Sequence, residues 1–256
     1  MNFRPHDEYP DHDLNPMLEE NRQSIKKEVK KQQADLGLIW DGDGDRALFI
    51  SEKGEFIQPY YLNCLLCSII LKKKKNLTVL IDARLPLGLA QEIKVRGGQP
   101  FVNRSGHTNI LKSMKEKKLI FGCENSGHYF FDLSFFKRGN KLFSFSDGII
   151  PALLIIEHLG VSHQTISQAI KPFMEKYHIS GEINIKNVDY QKLAARIKNR
   201  YRGHKFSNLD GLSVFGTDWF INVRPSHTEP LVRVNIEGRD KKTVGKIKRE
   251  ILKIID

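Results

Sequence analysis

The fold and chemistry of this chain are constrained most by a run of six residues near its start: Asp41, Gly42, Asp43, Gly44, Asp45 and Arg46. Apolar stretches flank the run on both sides, which predicts a loop between two buried strands. The alternating glycines allow the backbone to curl until the three carboxylates face one point. Such an arrangement is typical of a site for a hard divalent cation, and the adjacent arginine suits an anionic phosphate.

The charge of the chain narrows the kinds of partner. The 256 residues carry a formal net charge of +11, from 41 basic and 30 acidic side chains. The densest lysine runs, at 26–31 and 72–75, contain no aromatic residues, which a surface for stacking nucleic-acid bases needs. We therefore expect an anionic metabolite and no nucleic acid. The three cysteines form no even set and no apolar segment follows Met1, so a cytoplasmic location without a membrane partner is expected.

The order of predicted elements divides the chain into three units. A helix that starts at Asn15 and Pro16 and the acidic run with its strands form a partial α/β unit over 1–55. Alternating helices and strands then predict a mixed, mostly parallel sheet covered by helices over 56–172. Its predicted elements are helix 58–73, strand 77–81, helix 86–96, strand 99–102, helix 107–117, strand 119–123 and helices 147–159 and 162–170.

The last third of the sequence has a different order. Strands cluster between two helices, which is typical of an α+β fold, and Pro172 marks the predicted boundary, either as a linker or as an ordinary helix end. The elements predicted for this unit, 173–256, are strand 180–187, helix 189–200, strands 211–214, 218–223 and 231–237, and helix 240–254.

Two other kinds of site use acidic runs of this type. An EF-hand calcium loop would place Asp41, Asp43 and Asp45 as ligands, but its sixth position must be a glycine and is Arg46 here. A haloacid-dehalogenase-like phosphatase would use Asp41 as nucleophile and Asp43 as acid. Such an enzyme needs lysine and acidic segments after later strands, for which the sequence offers only weak candidates. The phosphatase is kept as a remote alternative.

A second polar loop follows the predicted strand 119–123. Glu124, Ser126 and His128 place a carboxylate, a hydroxyl and an imidazole at the carboxyl end of that strand, where open α/β sheets bind ligands. These groups can accept from and donate to neighbouring sugar hydroxyls. The loop is therefore a candidate sugar site.

A third polar loop lies between two predicted strands of the C-terminal unit. Arg224, Ser226 and Thr228, together with backbone N–H groups, provide the donors needed to surround one phosphate. Two prolines, Pro225 and Pro230, lie within the same segment, and with them the hydroxyl residues could instead shape a turn. The phosphate site is the favoured interpretation.

In this order, the three loops resemble those of the α-D-phosphohexomutase family, which contains phosphoglucomutases and phosphomannomutases. The resemblance covers nearly the whole chain and implies a TATA-box-binding-protein-like fold for the C-terminal α+β unit. It also implies a mutase that moves phosphate between the C1 and C6 hydroxyls of a hexose through a bisphosphorylated sugar. The implied ligands are Mg²⁺ and a phosphorylated hexose.

The resemblance implies roles for the acidic run and for one residue beyond it. Asp41, Asp43 and Asp45 would hold Mg²⁺, and Arg46 would assist the transferring phosphate. Arg84, after the predicted strand 77–81, occupies the position of a suggested general acid/base. Arginine is a poor proton shuttle unless its pKa is strongly perturbed.

The resemblance also implies which residues bind the substrate. Glu124 and Ser126 would bind sugar hydroxyls, while His107 and His128 would lie near the sugar and its phosphate. The non-reacting phosphate would be bound by Arg224, Ser226, His227 and Thr228.

The sequence departs from the family pattern in one respect that bears on activity. Family members carry a serine followed by His-Asn-Pro in a preceding domain, and the phosphoserine donates phosphate and completes the metal site. Residues 1–256 contain no such motif. We therefore expect a truncated mutase that binds phosphosugar and is inactive alone. The alternatives are a non-catalytic sugar-phosphate-binding protein and the C-terminal half of a split enzyme, whose partner would be a separate N-terminal phosphoserine-bearing chain.

Overall fold

The computed structural model describes residues 15–136, 143–226 and 229–255. Two residues implied in phosphate binding, His227 and Thr228, lie outside these ranges. Within the described ranges the chain forms a three-stranded, a five-stranded and a six-stranded sheet. The sheets follow one another along the chain without interleaving.

The first sheet is antiparallel and carries the acidic loop. Trp40 lies opposite Ala47 across its first strand pair, so residues 41–46 connect two strands, as predicted. The next strand pairs with the second in antiparallel register, so the two form a hairpin. The elements are a 3₁₀ helix (Glu20–Arg22), α1 (Gln23–Gln32), β1 (Leu36–Trp40), β2 (Ala47–Ser51) and β3 (Phe56–Ile57).

The first helix begins later than predicted. The sequence places its start at Asn15 and Pro16, whereas the helical residues begin at Glu20. The guanidinium of Arg22 donates to the backbone carbonyls of Pro16 and Met17. Because these carbonyls accept from a side chain and not from helical N–H groups, residues 16–19 form turns.

The second sheet has five strands covered by helices. Its strands are β4 (Thr78–Asp82), β5 (Gln99–Asn103), β6 (Phe121–Cys123), β7 (Tyr129–Asp132) and β8 (Ser144–Ser146), in the spatial order β5-β4-β6-β7-β8. Its helices are α2 (Pro59–Lys73), α3 (Leu87–Val95), α4 (His107–Lys117), α5 (Ile149–Ser162) and α6 (Ile166–Lys176). The apolar sequence of α2 is buried along most of its length.

This second sheet is mixed, as predicted. β4 pairs in parallel with β5 and β6, while β7 and β8 extend the sheet in antiparallel register. The sequence analysis does not predict β7 and β8, because strands of three or four residues are too short to show a clear alternation. The polar loop at 124–128 is therefore a hairpin connection between β6 and β7.

Helix α6 is longer than predicted. The sequence places its end at residue 170 and a linker or helix end at Pro172, but the helix continues through Pro172 to Lys176. Buried residues on both sides of the proline, Ile170 and Phe173, anchor that face of the helix in the core. The proline itself is exposed. Residue 172 is therefore not a break, and the division into three units remains a prediction.

Membrane-spanning length was tested for the helices of the described ranges. No single helix there is long and apolar enough to cross a membrane. Among the described residues, α5 and α6 are the one pair that reaches the required length and composition together, and the pair is bent by 100° at the break between them.

The third sheet carries helices on one face, as predicted for an α+β unit. Val232, Val234 and Ile236 alternate along one strand and pack into a core with the two helices. The elements are β9 (His178–Ile179), β10 (Ile183–Lys186), α7 (Tyr190–Arg200), β11 (Lys205–Ser207), β12 (Leu212–Phe215), β13 (Trp219–Pro225), β14 (Leu231–Gly238) and α8 (Lys241–Ile255). The strand order is β10-β14-β13-β12-β11, with β9 also paired to β14.

Candidate active site

The acidic loop contains an internal ion pair. The backbone N–H of Arg46 donates to Oδ1 of Asp41 at 3.1 Å, and the Arg46 guanidinium donates to Oδ2. Burial raises the pKa of Asp41, but these bonds and the charge of Arg46 outweigh burial and hold the pKa below its usual range. Asp41 is therefore ionised at neutral pH.

Asp45 connects the acidic loop to the second sheet. Its Oδ1 lies 3.3 Å from Nε2 of His128, and its Oδ2 accepts a hydrogen bond of 3.1 Å from the Ser146 hydroxyl. Oδ2 also lies 3.9 Å from Nε2 of His107. His107, His128 and Ser146, from the part of the chain that forms the second sheet, thus surround the Asp45 carboxylate.

A candidate metal group includes two of the three predicted carboxylates. Ligand atoms of Asp41, Asp45 and His128 all lie within 4.8 Å of one another. Asp43 is exposed and is not part of this group. The two carboxylates fit a hard cation such as Mg²⁺, which prefers oxygen ligands, whereas the imidazole fits it less well.

The candidate sugar loop, residues 124–128, is a tight turn hydrogen-bonded to the acidic loop. The Ala47 N–H, directly after the acidic run, donates to the Gly127 carbonyl at 3.0 Å, and Arg46 forms a β-bridge with His128. Gly127 has a φ of +87°, and a Cβ at this position would lie 2.7 Å from Cδ2 of Leu48. Only glycine fits this close approach, which brings the two loops together.

Glu124 is buried and satisfied by protein donors. Its Oε1 accepts from the Gly106 N–H at 2.8 Å, and its Oε2 lies 3.3 Å from the Ser126 hydroxyl and 3.2 Å from Nδ1 of His128. Burial raises the pKa of Glu124, but the bond to His128, the charge of Arg84 and the Gly106 N–H lower it to about 2. The carboxylate is therefore an acceptor that orients Ser126 and His128.

Arg84 is held by Asp82 at the end of β4. Asp82, which is 1% exposed, accepts from Nη2 of Arg84 at 2.7 Å and from the Arg84 backbone N–H at 2.8 Å. Burial lowers the pKa of Arg84, but the charges of Asp82 and Glu124 outweigh burial and raise it above its ordinary value. A guanidinium held in its protonated form is suited to binding phosphate and unsuited to moving a proton.

The two candidate histidines pack against one aromatic ring. The ring centroids of His107 and His128 lie 5.5 and 6.2 Å from that of Phe130, and the imidazoles lie 6.4 Å apart. Nδ1 of His128 lies 2.8 Å from the Ser126 hydroxyl, and Nε2 of His107 lies 2.9 Å from the Ser146 hydroxyl. The structure thus brings both histidines to the junction of the acidic and sugar loops.

The candidate phosphate loop, residues 224–230, is described at its two ends, 224–226 and 229–230. Arg224 is 7% exposed, and its Nη2 lies 3.7 Å from the Glu182 carboxylate. Burial lowers the pKa of Arg224, and the positive charge of Arg84 lowers it further. The hydroxyl of Ser226 accepts from the Glu229 N–H at 3.3 Å. The Ser226 side chain thus joins the two described ends of the loop, and Arg224 lies at its start.

A cleft of about 620 Å³ brings part of the predicted site together. Arg46, Arg84 and Ser126 line it from the first two units, and Arg233 lines it from the C-terminal unit. Arg224 borders a neighbouring hollow of about 360 Å³ instead. The cleft therefore offers guanidinium groups from separate parts of the chain, together with a hydroxyl.

Three acidic residues that were not predicted as site residues bind Arg84, Arg233 and the segment at Ser105. Asp82 binds Arg84, and Glu182 lies 3.3 Å from Nη1 of Arg233. Asp210, which is 4% exposed, accepts from the backbone N–H and hydroxyl of Ser105. Of the three, only Asp82 could have been found from the sequence, since it directly follows the predicted strand 77–81, as Glu124 follows the predicted strand 119–123.

Two family models match most of the chain. The model described as phosphoglucomutase/phosphomannomutase, alpha/beta/alpha domain III, matches residues 58–177, and the model for the C-terminal domain of the same enzymes matches residues 182–254. The chain belongs to the α-D-phosphohexomutase family. The family match confirms both the resemblance drawn from the three loops and the predicted fold class.

A curated relative agrees with the family assignment. The protein named phosphohexose mutases from Xanthomonas campestris pv. campestris (strain B100) is 36% identical over 238 residues, which cover 92% of this chain and 51% of the relative. The chain thus spans about half the length of the curated relatives that it matches.

Solved structures share the fold. The crystal structure of a phosphoglucomutase/phosphomannomutase family protein from Burkholderia thailandensis has a TM-score of 0.80 at 23% identity, over 96% of this chain and 51% of that chain. The N-acetylphosphoglucosamine mutase of Aspergillus fumigatus, solved with GlcNAc-6P and magnesium, has a TM-score of 0.57 at 14% identity, over 90% of this chain and 52% of that chain. At these identities the likeness concerns the fold alone.

Proposed function

We propose that this chain is the metal-binding and phosphosugar-binding part of a phosphohexomutase that interconverts hexose 1-phosphate and hexose 6-phosphate. The observation that carries the proposal is one cleft lined by Arg46 and Arg84, which follow strands of the first two sheets, and by Arg233 of β14 in the third sheet. A mutase must bind a sugar with a phosphate at either end and an intermediate with phosphates at both ends. Guanidinium groups from two units meet that need, because each can bind phosphate oxygens with a fork of donors.

The sugar would bind between these cations. Ser126 lines the cleft and is oriented by the ionised carboxylate of Glu124. The Ser126 oxygen accepts from Nη2 of Arg84 at 3.4 Å, and its second lone pair is the acceptor for a sugar hydroxyl. This arrangement supports the implied role of Ser126 in gripping the substrate.

Mg²⁺ would be held by Asp41 and Asp45, with Asp43 available from the same loop. When bound, the ion would neutralise charge on the transferring phosphoryl group. Arg46 would add a second positive charge beside it, since its guanidinium already lies against Asp41 and lines the cleft. A structural relative from Aspergillus fumigatus that contains magnesium supports this assignment.

The phosphate donor would come from outside residues 1–256, because these contain no serine followed by His-Asn-Pro. We therefore expect this polypeptide to bind phosphosugar and to be inactive alone. A separate phosphoserine-bearing chain that restores turnover would show a split enzyme, whereas binding without restored turnover would favour a sugar-phosphate-binding protein.

The test combines binding with turnover. Glucose, mannose and N-acetylglucosamine 1-phosphates are titrated calorimetrically into the purified chain, and conversion of each to its 6-phosphate is assayed in parallel with Mg²⁺. We expect binding of at least one ligand, weakened in Arg233→Met and unchanged in the control Arg239→Met, whose side chain is 61% exposed. No binding by any ligand contradicts the proposed function, and conversion without an added chain contradicts only the expected inactivity.

A further inference from the structure

A serine outside the three loops lies between the acidic loop and His107. Ser146 is the last residue of β8, the edge strand of the second sheet. Its hydroxyl donates to Oδ2 of Asp45 at 3.1 Å and lies 2.9 Å from Nε2 of His107. None of the three loops that carry the family resemblance contains this serine.

The donor role of the Ser146 hydroxyl toward Asp45 determines its role toward His107. A serine hydroxyl has one proton, and a carboxylate can only accept, so the 3.1 Å contact assigns that proton to the bond with Asp45. The Ser146 oxygen can therefore serve His107 only as an acceptor. It follows that Nε2 of His107 carries the proton of the second bond, and that Nδ1 of a neutral His107 is left as an acceptor.

The same bond orients the Asp45 carboxylate. With Oδ2 bound by Ser146, Oδ1 is turned toward His128, which belongs to the candidate metal group with Asp41 and Asp45. A carboxylate on a glycine-containing loop has more freedom to rotate than one bound to a strand. Ser146 supplies that attachment from a regular sheet.

The backbone of Ser146 is itself well placed for this role. Ser146 lies opposite Phe130 in the β7–β8 pair, and the Phe130 ring packs against both His107 and His128. The strand therefore fixes the hydroxyl relative to both imidazoles. Groups held in this way by regular elements keep a functional side chain in one geometry.

We propose that Ser146 is a positioning residue of the metal site. Its hydroxyl holds Asp45 in the orientation that binds Mg²⁺ and holds His107 as the tautomer protonated on Nε2. The inference rests on the proposed role of the acidic loop as a metal site. Ser146 would itself bind neither metal nor sugar, but it would orient Asp45 and fix the tautomer of His107.

The first test measures Mg²⁺ binding by calorimetry, without sugar or turnover. We expect Ser146→Ala to weaken Mg²⁺ binding about tenfold, as for the loss of one hydrogen bond to a charged group. Ser146→Thr, which keeps the hydroxyl, should restore most of the affinity. The matched control is Ser144→Ala on the same strand, because the Ser144 hydroxyl donates to Asp132 at 3.1 Å and not to the acidic loop.

The second test reads the His107 tautomer from ¹⁵N chemical shifts of the metal-free protein, at a pH above the ordinary histidine pKa. We expect the Nε2-protonated form in the wild type and in Ser146→Thr, and a mixture of both tautomers in Ser146→Ala. Equal Mg²⁺ affinity of the wild type and Ser146→Ala would overturn the effect on Asp45. A mixture of tautomers in the wild type would overturn the effect on His107. A wild type that binds no Mg²⁺ contradicts the proposed metal role and, with it, the role of Ser146 in orienting a ligand.

Discussion

Glu237 of the C-terminal sheet accepts a hydrogen bond of 2.6 Å from the backbone N–H of Gly88, at the start of α3 in the central unit. The Leu87 N–H donates to the other carboxylate oxygen at 2.9 Å, and the Tyr60 hydroxyl also donates to Glu237. A carboxylate at a helix N-terminus satisfies N–H groups that have no partner within the helix. This buried contact joins β14, which also carries Arg233, to the segment that follows Arg84.

Removing that contact should weaken the whole chain. We expect Glu237→Ala to lower the free energy of unfolding by about 3 kcal/mol, because two helical N–H groups and the Tyr60 hydroxyl lose a buried, charged acceptor. Urea unfolding followed by circular dichroism measures the change. Asp218→Ala is the control, since Asp218 is 48% exposed in its pair with Arg239. Equal loss in both variants would mean that Glu237 does not join the units.

Glu124 should make stability depend on acidity. Its pKa is lowered from 4.5 to about 2 in the folded chain, so the ionised form favours folding. This contribution is complete above the unfolded pKa and is lost as the pH falls from about 4.5 toward 2. It amounts to about 3 kcal/mol. Unfolding by urea at a series of pH values should show a smaller decline over this range in Glu124→Gln than in the wild type; parallel curves would contradict the assignment.

Asp82 should affect ligand binding through Arg84. In Asp82→Asn the guanidinium loses its charged partner, and we expect the affinity for a hexose 1-phosphate to fall about tenfold, as for the loss of one charge-assisted bond. Calorimetric titration measures it. Asp132→Asn is the matched control, because Asp132 is a buried carboxylate at the end of β7 in the same sheet and accepts from Ser134 at 2.9 Å. If both variants bind equally well, Arg84 does not depend on Asp82.

Gly127 should be intolerant of a side chain for two separable reasons. Gly127→Ala introduces a left-handed alanine and a contact of 2.7 Å with Leu48, whereas Gly97→Ala, with a φ of +80° and no neighbour within 4 Å, introduces only the first. We expect a loss of about 1 kcal/mol of unfolding free energy for Gly97→Ala and a larger loss for Gly127→Ala. Thermal unfolding compares the two. Identical losses would show that the sugar loop moves away from Leu48 without cost.

The acidic loop allows a comparison between motif and geometry. In the sequence motif the three aspartates are equivalent candidate metal ligands. In the structure, Asp41 and Asp45 belong to the candidate metal group, whereas Asp43 is exposed and lies outside it. We expect Asp45→Asn to weaken Mg²⁺ binding at least tenfold, as for the loss of a charged ligand, and Asp43→Asn to weaken it less. Calorimetry with Mg²⁺ alone distinguishes them. Equal effects would mean that Asp43 joins the group when the ion binds.

Most of what the sequence predicted correctly is local. The strands around the acidic loop, the helices of the central unit and the polar loops after β6 and β13 all have signals within a few residues. Glu182, Asp210 and Ser146 have no such signal, because their roles arise from contacts with residues far away in sequence. The continuation of α6 through Pro172 escaped prediction for the same reason, since buried neighbours from other elements decide it.

The backbone contacts between Arg46, Ala47 and the sugar loop have a consequence for substrate movement. Because the acidic and sugar loops are bonded main chain to main chain, the distance between the acidic loop and Ser126 is set by the fold. Two loops joined in this way keep a fixed separation and cannot move to reach first one end of a hexose and then the other. In the proposed reaction, therefore, the sugar has to turn around within a fixed frame.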